Sequence, residues 1–183
     1  MKTRWAAVLA VIGVPVFAET LFHSDFRSGS ALPPDWKNSA CSQLVKLEDG
    51  ECALRISGKD ATGKSIDLKR IPLNLKRSAG RRLTVKASVR RDLTIPSVKW
   101  QGGKLQFSIR TPRGREWPGV YMAKPKCDWE NLTLTADIPA DATEVSLDLG
   151  IQNASGTIEY RDLSVESGDA VLRLDSFANM GFR

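Results

Sequence analysis

The stretch SGTIEYRDLSVE, residues 155–166, decides the fold. Ile158 and Tyr160 alternate with polar neighbours, and so do Leu163 and Val165, but the second pair is out of phase with the first. Alternation with a period of two marks a strand with one buried face. A slip of one residue at Arg161-Asp162 would turn the buried set outward. The pattern therefore predicts a β-bulge there, and a bulge re-aims the side chains beside it.

The same period runs outward through most of the chain. Leu83, Val85, Ala87 and Val89 alternate, as do Leu105, Phe107 and Ile109. Leu132, Leu134, Ala136 and Ile138 form another set, and Val145, Leu147, Leu149 and Ile151 another. Cys52, Leu54 and Ile56 make a shorter run. Ile66 and Leu68 alternate in one phase, then Ile71, Leu73 and Leu75 resume in the other. Turn signals separate the runs at Asp49-Gly50, Ala79-Gly80, Gly102-Gly103, Pro112-Arg113-Gly114, Pro139-Ala140-Asp141 and Ser155-Gly156. No long window has helical periodicity. About nine or ten short strands, each with one apolar face, imply an all-β, two-sheet antiparallel sandwich.

The chain has 183 residues, and residues 1–18 read as a secretory signal peptide. Lys2 and Arg4 precede an apolar run from Trp5 to Val14, Pro15 breaks it, and Val16-Phe17-Ala18 fits a cut before Glu19. The run is shorter than the ~20 residues of a membrane span. No later run replaces it, so the mature chain is expected to be secreted or periplasmic, with no membrane segment. No Cys follows the cut, which argues against a bacterial lipid anchor. What remains is the size of one domain. The 27 basic and 21 acidic side chains give a net charge of +6, and losing Lys2 and Arg4 leaves +4. The excess is scattered, with LKRSAGRR the nearest thing to a cluster. A solvated turn is the simpler reading of that cluster, and an acidic polysaccharide surface the sharper one. Nucleic acid is not expected as a partner, for want of any binding motif.

The three cysteines leave their pairing open. Cys41 and Cys52 flank a turn at Glu48-Asp49-Gly50, so a local bridge is one reading. A bridge from Cys127 to either, or three thiols, are the others, and spacing does not choose. With one histidine, His23, the chain has no zinc-ligand spacing.

The landmarks fall in a telling order. SDFRSG (24–29) is followed by Trp36, and a hairpin leads into GECALRI (50–56). RRLTVKASVR (81–90), WENLT (129–133) running to Ile138-Pro139, VSLDLGIQ (145–152) and the closing SGTIEYRDLSVE come next. In that order they resemble the calcium-containing jelly-roll carbohydrate-binding modules of families four, nine and twenty-two, over most of residues 19–166. The resemblance implies a jelly-roll domain at 19–166 and a non-catalytic module that binds polysaccharide. A neutral plant or microbial glycan is the first expectation and an acidic glycan the second. Residues 167–183 then form a C-terminal extension or a link to a further, catalytic domain. The chain would be a relative, or a piece, of a polysaccharide-degrading enzyme.

The resemblance also implies a structural calcium held by oxygens from the first and last strands. Asp25 and Asp162 are the acids at matching positions. Arg27 stands where the family often has a carboxylate, and Arg161-Asp162 where it often has two acids. Calcium takes ~6–8 oxygen ligands. A site completed by backbone carbonyls and a pair of surface acids without metal both remain open.

Sugars are held by aromatic rings against their C–H faces and by polar side chains at their hydroxyl edges. Trp100, Trp117 and Tyr121 are the aromatic candidates. Trp36 and Trp129 match tryptophans that the family buries and are expected in the core. Trp117 and Tyr121 share parity, and on a strand would stand ~13 Å apart on one face. Pro118 and Gly119 work against a regular strand there, and core packing is the alternative for each ring. Arg90, Arg110 and Gln106 are the polar candidates, supported by Lys86, Ser88, Ser108, Asp148 and Gln152. An arginine fork suits a uronate carboxylate as well as neutral hydroxyls. A merely solvated sheet face would carry the same residue types.

No catalytic residue is assigned. One histidine leaves no Ser/His/Asp set. Glu159 and Asp162 point to opposite faces unless the bulge realigns them, against the shared face a carboxylate pair needs. Three classes remain: a sugar-binding module, an exported structural or protein-binding sandwich, and a small polysaccharide lyase or hydrolase. The first is the expectation.

Overall fold

The computed structural model describes residues 18–27, 41–59, 66–95, 101–120, 122 and 124–170. The leader, Trp36, Trp100, Tyr121 and the segment beyond residue 170 lie outside these residues. Ten strands and one short helix follow in order: β1 (Glu19–Ser24), β2 (Ser42–Lys46), β3 (Cys52–Gly58), β4 (Ile66–Pro72), α1 (Leu75–Ser78), β5 (Arg81–Thr94), β6 (Gly102–Thr111), β7 (Gly114–Glu116), β8 (Lys126–Asp137), β9 (Glu144–Gln152) and β10 (Ser155–Ala170).

The strands form two antiparallel sheets. One has the order β2-β3-β10-β5-β8, with β1 also paired to β10, and the other the order β4-β9-β6-β7. The predicted all-β jelly-roll sandwich is the observed fold. β10 explains the larger sheet. Its first half, Gly156–Tyr160, pairs with β3, and its second half, Leu163–Ser167, pairs with β1, while β5 runs along its other edge. The bulge falls where one partner hands over to the next. Arg161 faces Ser88 and Ser164 faces Lys86, so two residues of β10 stand against one of β5. Asp162 takes a φ of 52° there. The slip keeps Ile158 and Tyr160, then Leu163 and Val165, all fully buried.

The core lies between the sheets. Leu83, Val85 and Val89 of β5 meet Leu105 and Phe107 of β6 and Leu147 and Leu149 of β9, all without solvent exposure. Each such side chain contributes roughly 1.5–3 kcal/mol by leaving water. Phe26 closes one end of the core from a turn with a φ of 56°.

Several local expectations are corrected. Gly102-Gly103 is not a turn but the start of β6, where Gly103 is needed for space: a Cβ there would stand 2.7 Å from Met122 Sδ and 2.8 Å from Ile158 Cδ1. The β9–β10 turn sits at Asn153, with a φ of 51°, rather than at Ser155-Gly156. Leu75 opens α1 instead of ending a strand. β10 runs on to Ala170, paired with Arg81, so the sandwich passes the expected boundary at 166. Trp129 is half-buried on the outer face of β8, with the guanidiniums of Arg161 and Arg90 at 4.2 and 5.0 Å from its ring centre.

The register also settles the cysteines. Cys52 faces Lys46 at one end of the β2–β3 pair, and Cys41 meets Ser57 at the other. That is about 17 Å of strand, far beyond the ~7 Å Cα limit for a disulfide. Cys127 lies on β8, with β5 and β10 between it and β3. All three are thiols.

Candidate functional site

The outward face of the four-stranded sheet carries a groove of about 490 Å³. Its floor can be read from the register as three rows across β4, β9 and β6. Arg70, Asp148 and Gln106 form the first, Leu68, Gly150 and Lys104 the second, and Ile66, Gln152 and Gly102 the third. Rows two residues apart on a strand are ~7 Å apart, so the grid is ~13 Å long. The central position is a glycine. Gly150 is needed for backbone space: its φ is 145°, and a Cβ there would stand 2.1 Å from Asp67 O of β4. Leu68 and Lys104 flank it and line the groove.

Trp117 forms the wall beyond β6. After β7 the chain continues alongside β6: Phe107 N–H donates to Pro118 O at 2.8 Å, and Val120 N–H donates to Leu105 O at 3.0 Å. Pro118 has no N–H to offer, which suits an edge position. Among the described residues, two large hydrophobic side chains stand exposed, Ile66 at 61% and Trp117 at 57%, and both line this groove.

The polar floor is rigid. Asp148 is buried and takes both Nε and Nη2 of Arg70, at 2.7 and 2.9 Å. That bidentate pair fixes the guanidinium plane, and the hydrogen bonds that Arg70 donates to Asp148 hold the guanidinium above its ordinary pKa. Burial lowers the Lys104 ammonium pKa. Beyond the first row, Arg115 bridges Ser108 Oγ at 3.1 Å and Glu144 at 2.8 Å. Tyr160 supports the middle row from the core: its hydroxyl accepts from Gly150 N–H at 3.0 Å and donates to Lys104 O. Burial pushes the Tyr160 phenol above its usual pKa.

The structure divides the sequence-derived site residues. Trp117 and Gln106 line the groove, with Asp148 and Gln152. Arg110 is exposed at the far end of β6, facing Glu144 and Arg115 in register, outside the groove. Arg90 belongs to the other sheet, whose outer face is on the opposite side of the sandwich. Trp100 and Tyr121 lie outside the described residues. Sequence reasoning missed Ile66, Leu68, Arg70 and Lys104. The signal for two of them was the phase change along β4: Ile71 turns into the core, and Ile66 and Leu68 therefore turn out of it.

Asp25 and Asp162 are brought to one place, because Ser24 pairs with Leu163. The Arg27 guanidinium stands with them. It bonds Glu51 through Nη2 at 2.7 Å and Nε at 2.9 Å, and lies 3.8 Å from Asp25. The hydrogen bond to Glu51 is the main reason its pKa is raised, with Asp25 and Asp162 adding to the field. Among the described residues no three His, Cys, Asp or Glu side chains converge as metal ligands. The cation that already stands beside these carboxylates is the exposed Arg27 guanidinium.

Solved structures share this architecture. The C-terminal family 22 carbohydrate-binding module of Clostridium thermocellum Xyn10B superposes with a TM-score of 0.59 at 12% identity, covering 84% of this chain and 96% of that one. The fold is that of a family 22 carbohydrate-binding module. The CBM22-1 xylan-binding domain of Paenibacillus barcinonensis Xyn10C matches equally well, at 0.59 and 13% identity, over 84% of this chain and 97% of its own. The Clostridium thermocellum CBM22-1–GH10 structure complexed with xylohexaose matches at 0.53 and 11% identity, over 86% of this chain and 30% of that one. No family model and no curated protein matches the sequence.

Proposed function

We propose that the chain is an exported, non-catalytic polysaccharide-binding module whose groove on the four-stranded sheet holds a glycan strand. The observation that carries this is the shared location of Ile66 and Trp117, the large apolar side chains exposed among the described residues, beside the Arg70–Asp148–Gln106 row. An apolar wall takes sugar C–H faces, and a rigid polar floor orients the hydroxyls. Binding by a preformed surface concentrates any attached enzyme on its polymer. A catalytic reading has less support: Glu159 and Asp148 are each tied to arginines and lie on different sheets, unlike the facing carboxylates of a glycosidase. Calcium is left out of the proposal because Arg27 already supplies the positive charge between the first and last strands. Xylan is the first polymer to test, since the fold neighbours are named as xylan-binding.

Affinity electrophoresis of the full chain against neutral and acidic polysaccharides tests the reading. Trp117→Ala is expected to lose at least tenfold in affinity for the retarding polymer with an unchanged melting temperature. Retardation of the variant equal to that of the wild type would remove the groove as the site.

A further inference from the structure

The outer face of the larger sheet carries a second hollow, of about 330 Å³. At its centre the register sets Glu159 of β10 directly between Arg55 of β3 and Arg90 of β5. Glu159 is 5% exposed, and its two oxygens are divided between them: Oε1 takes Arg55 at 2.6 and 2.8 Å, and Oε2 takes Arg90 Nε at 2.5 Å. Two guanidiniums share one carboxylate, so the triad carries a net positive charge. The other cations beside the hollow, Lys126 and Arg91, are paired with Asp92 and Glu130, and Asp128 adds an acid to the lining that lies within the field of Arg90.

Both triad arginines keep donors for a ligand. Arg90 bonds Glu159 through Nε, and its Nη groups have no protein acceptor among the described residues. Its guanidinium lies over Trp129, whose ring also meets Arg161, so that tryptophan holds the fork in place and is not a free sugar platform. The side chains of Arg55 and Arg90 are 35% and 39% exposed, and Thr157 adds a hydroxyl at the wall. A guanidinium fork held on one side, with two open donors on the other, is matched by a carboxylate. The hollow is at the small end of the range for small-molecule pockets, ~300–1,000 Å³, and suits a single ring.

We infer that this hollow is a second binding site, for the carboxylate of an acidic sugar unit, on the face opposite the groove. The inference rests on the proposed polysaccharide-binding function and extends it: one module engages two glycan strands, a neutral stretch in the groove and a uronate unit at Arg55 and Arg90. Two sites on one body raise retention on a polymer that offers both, by raising effective concentration.

The test is calorimetric titration of the full chain with two probes, galacturonic acid trimer and xylohexaose, at low and high salt. The acidic probe is expected to bind, to weaken at least tenfold in high salt, and to lose at least tenfold in Arg90→Gln and in Arg55→Gln. Binding of the neutral probe should be unchanged in both variants and lost in Trp117→Ala, which keeps the acidic probe. Circular dichroism screens each variant for folding, and the wild-type salt dependence stands independently of them. Failure of the neutral probe alone would count against the groove and leave the second site standing. Acidic binding that is absent, insensitive to salt, or lost in Trp117→Ala but kept in Arg90→Gln would overturn the second site. Equal binding of a polyglutamate peptide, lost in Arg90→Gln, would overturn the sugar as its ligand.

Discussion

Tyr160 shows how much of the groove depends on a residue that never touches its surface. It is fully buried, yet its hydroxyl fixes the backbone of Gly150 and Lys104, which form the middle row of the floor. Tyr160→Phe leaves a buried N–H and a buried carbonyl without their shared partner. The expected cost is about 1–3 kcal/mol in urea denaturation, with glycan affinity falling because the central row loosens. An unchanged midpoint would mean that the hydroxyl is dispensable. Glu159 gives a prediction with a sign. Burial alone would raise its carboxyl pKa, but the hydrogen bonds from Arg90 and Arg55 outweigh burial and lower it. The stability it contributes is therefore present above the unfolded carboxyl pKa of ~4.3 and lost as pH falls below that toward the folded value. Glu130, lowered chiefly by its hydrogen bond from Arg91, adds to the same acid limb. Wild-type stability should drop more steeply from pH 5 to pH 3 than that of Glu159→Gln. Parallel curves would contradict the assignment.

At the scale of elements, the bulge in β10 was legible because a phase slip in an apolar alternation is a property of consecutive residues. The alternating strands β5, β6, β8 and β9 were legible for the same reason. The groove was not. Its floor is made by register between strands distant in sequence, with Arg70 meeting Asp148 and Asp148 meeting Gln106. Trp129 read as core because a tryptophan pattern does not say which sheet face a β8 residue takes. The β1–β10 corner is where resemblance and chemistry part: Asp25 and Asp162 do come together, but with Arg27 between Asp25 and Glu51. The wild-type melting temperature is expected to be the same in calcium and in chelator. Arg27→Asp removes the built-in cation and adds a carboxylate, so its melting temperature should rise by a few degrees with calcium. A calcium response in the wild type, or none in the variant, would show that Arg27 does not fill that role.

On the scale of the whole molecule, the sandwich presents two unlike faces. The four-stranded sheet shows an apolar wall and a locked polar floor; the larger sheet shows a ladder of arginines and acids around Glu159. Sequence parity could say that Gln106 and Arg90 each point outward, but not that they point outward from opposite sides, since that depends on which sheet each strand joins. The claim on which the rest stands is that the four-stranded face is the glycan site. Amide chemical-shift mapping with xylohexaose tests it most directly. The perturbed residues are expected to cluster on β4, β6 and β9 around Leu68, Gln106 and Gly150, together with Trp117. Perturbations confined to β3, β5 and β10, or none with any oligosaccharide of a neutral panel, would contradict it.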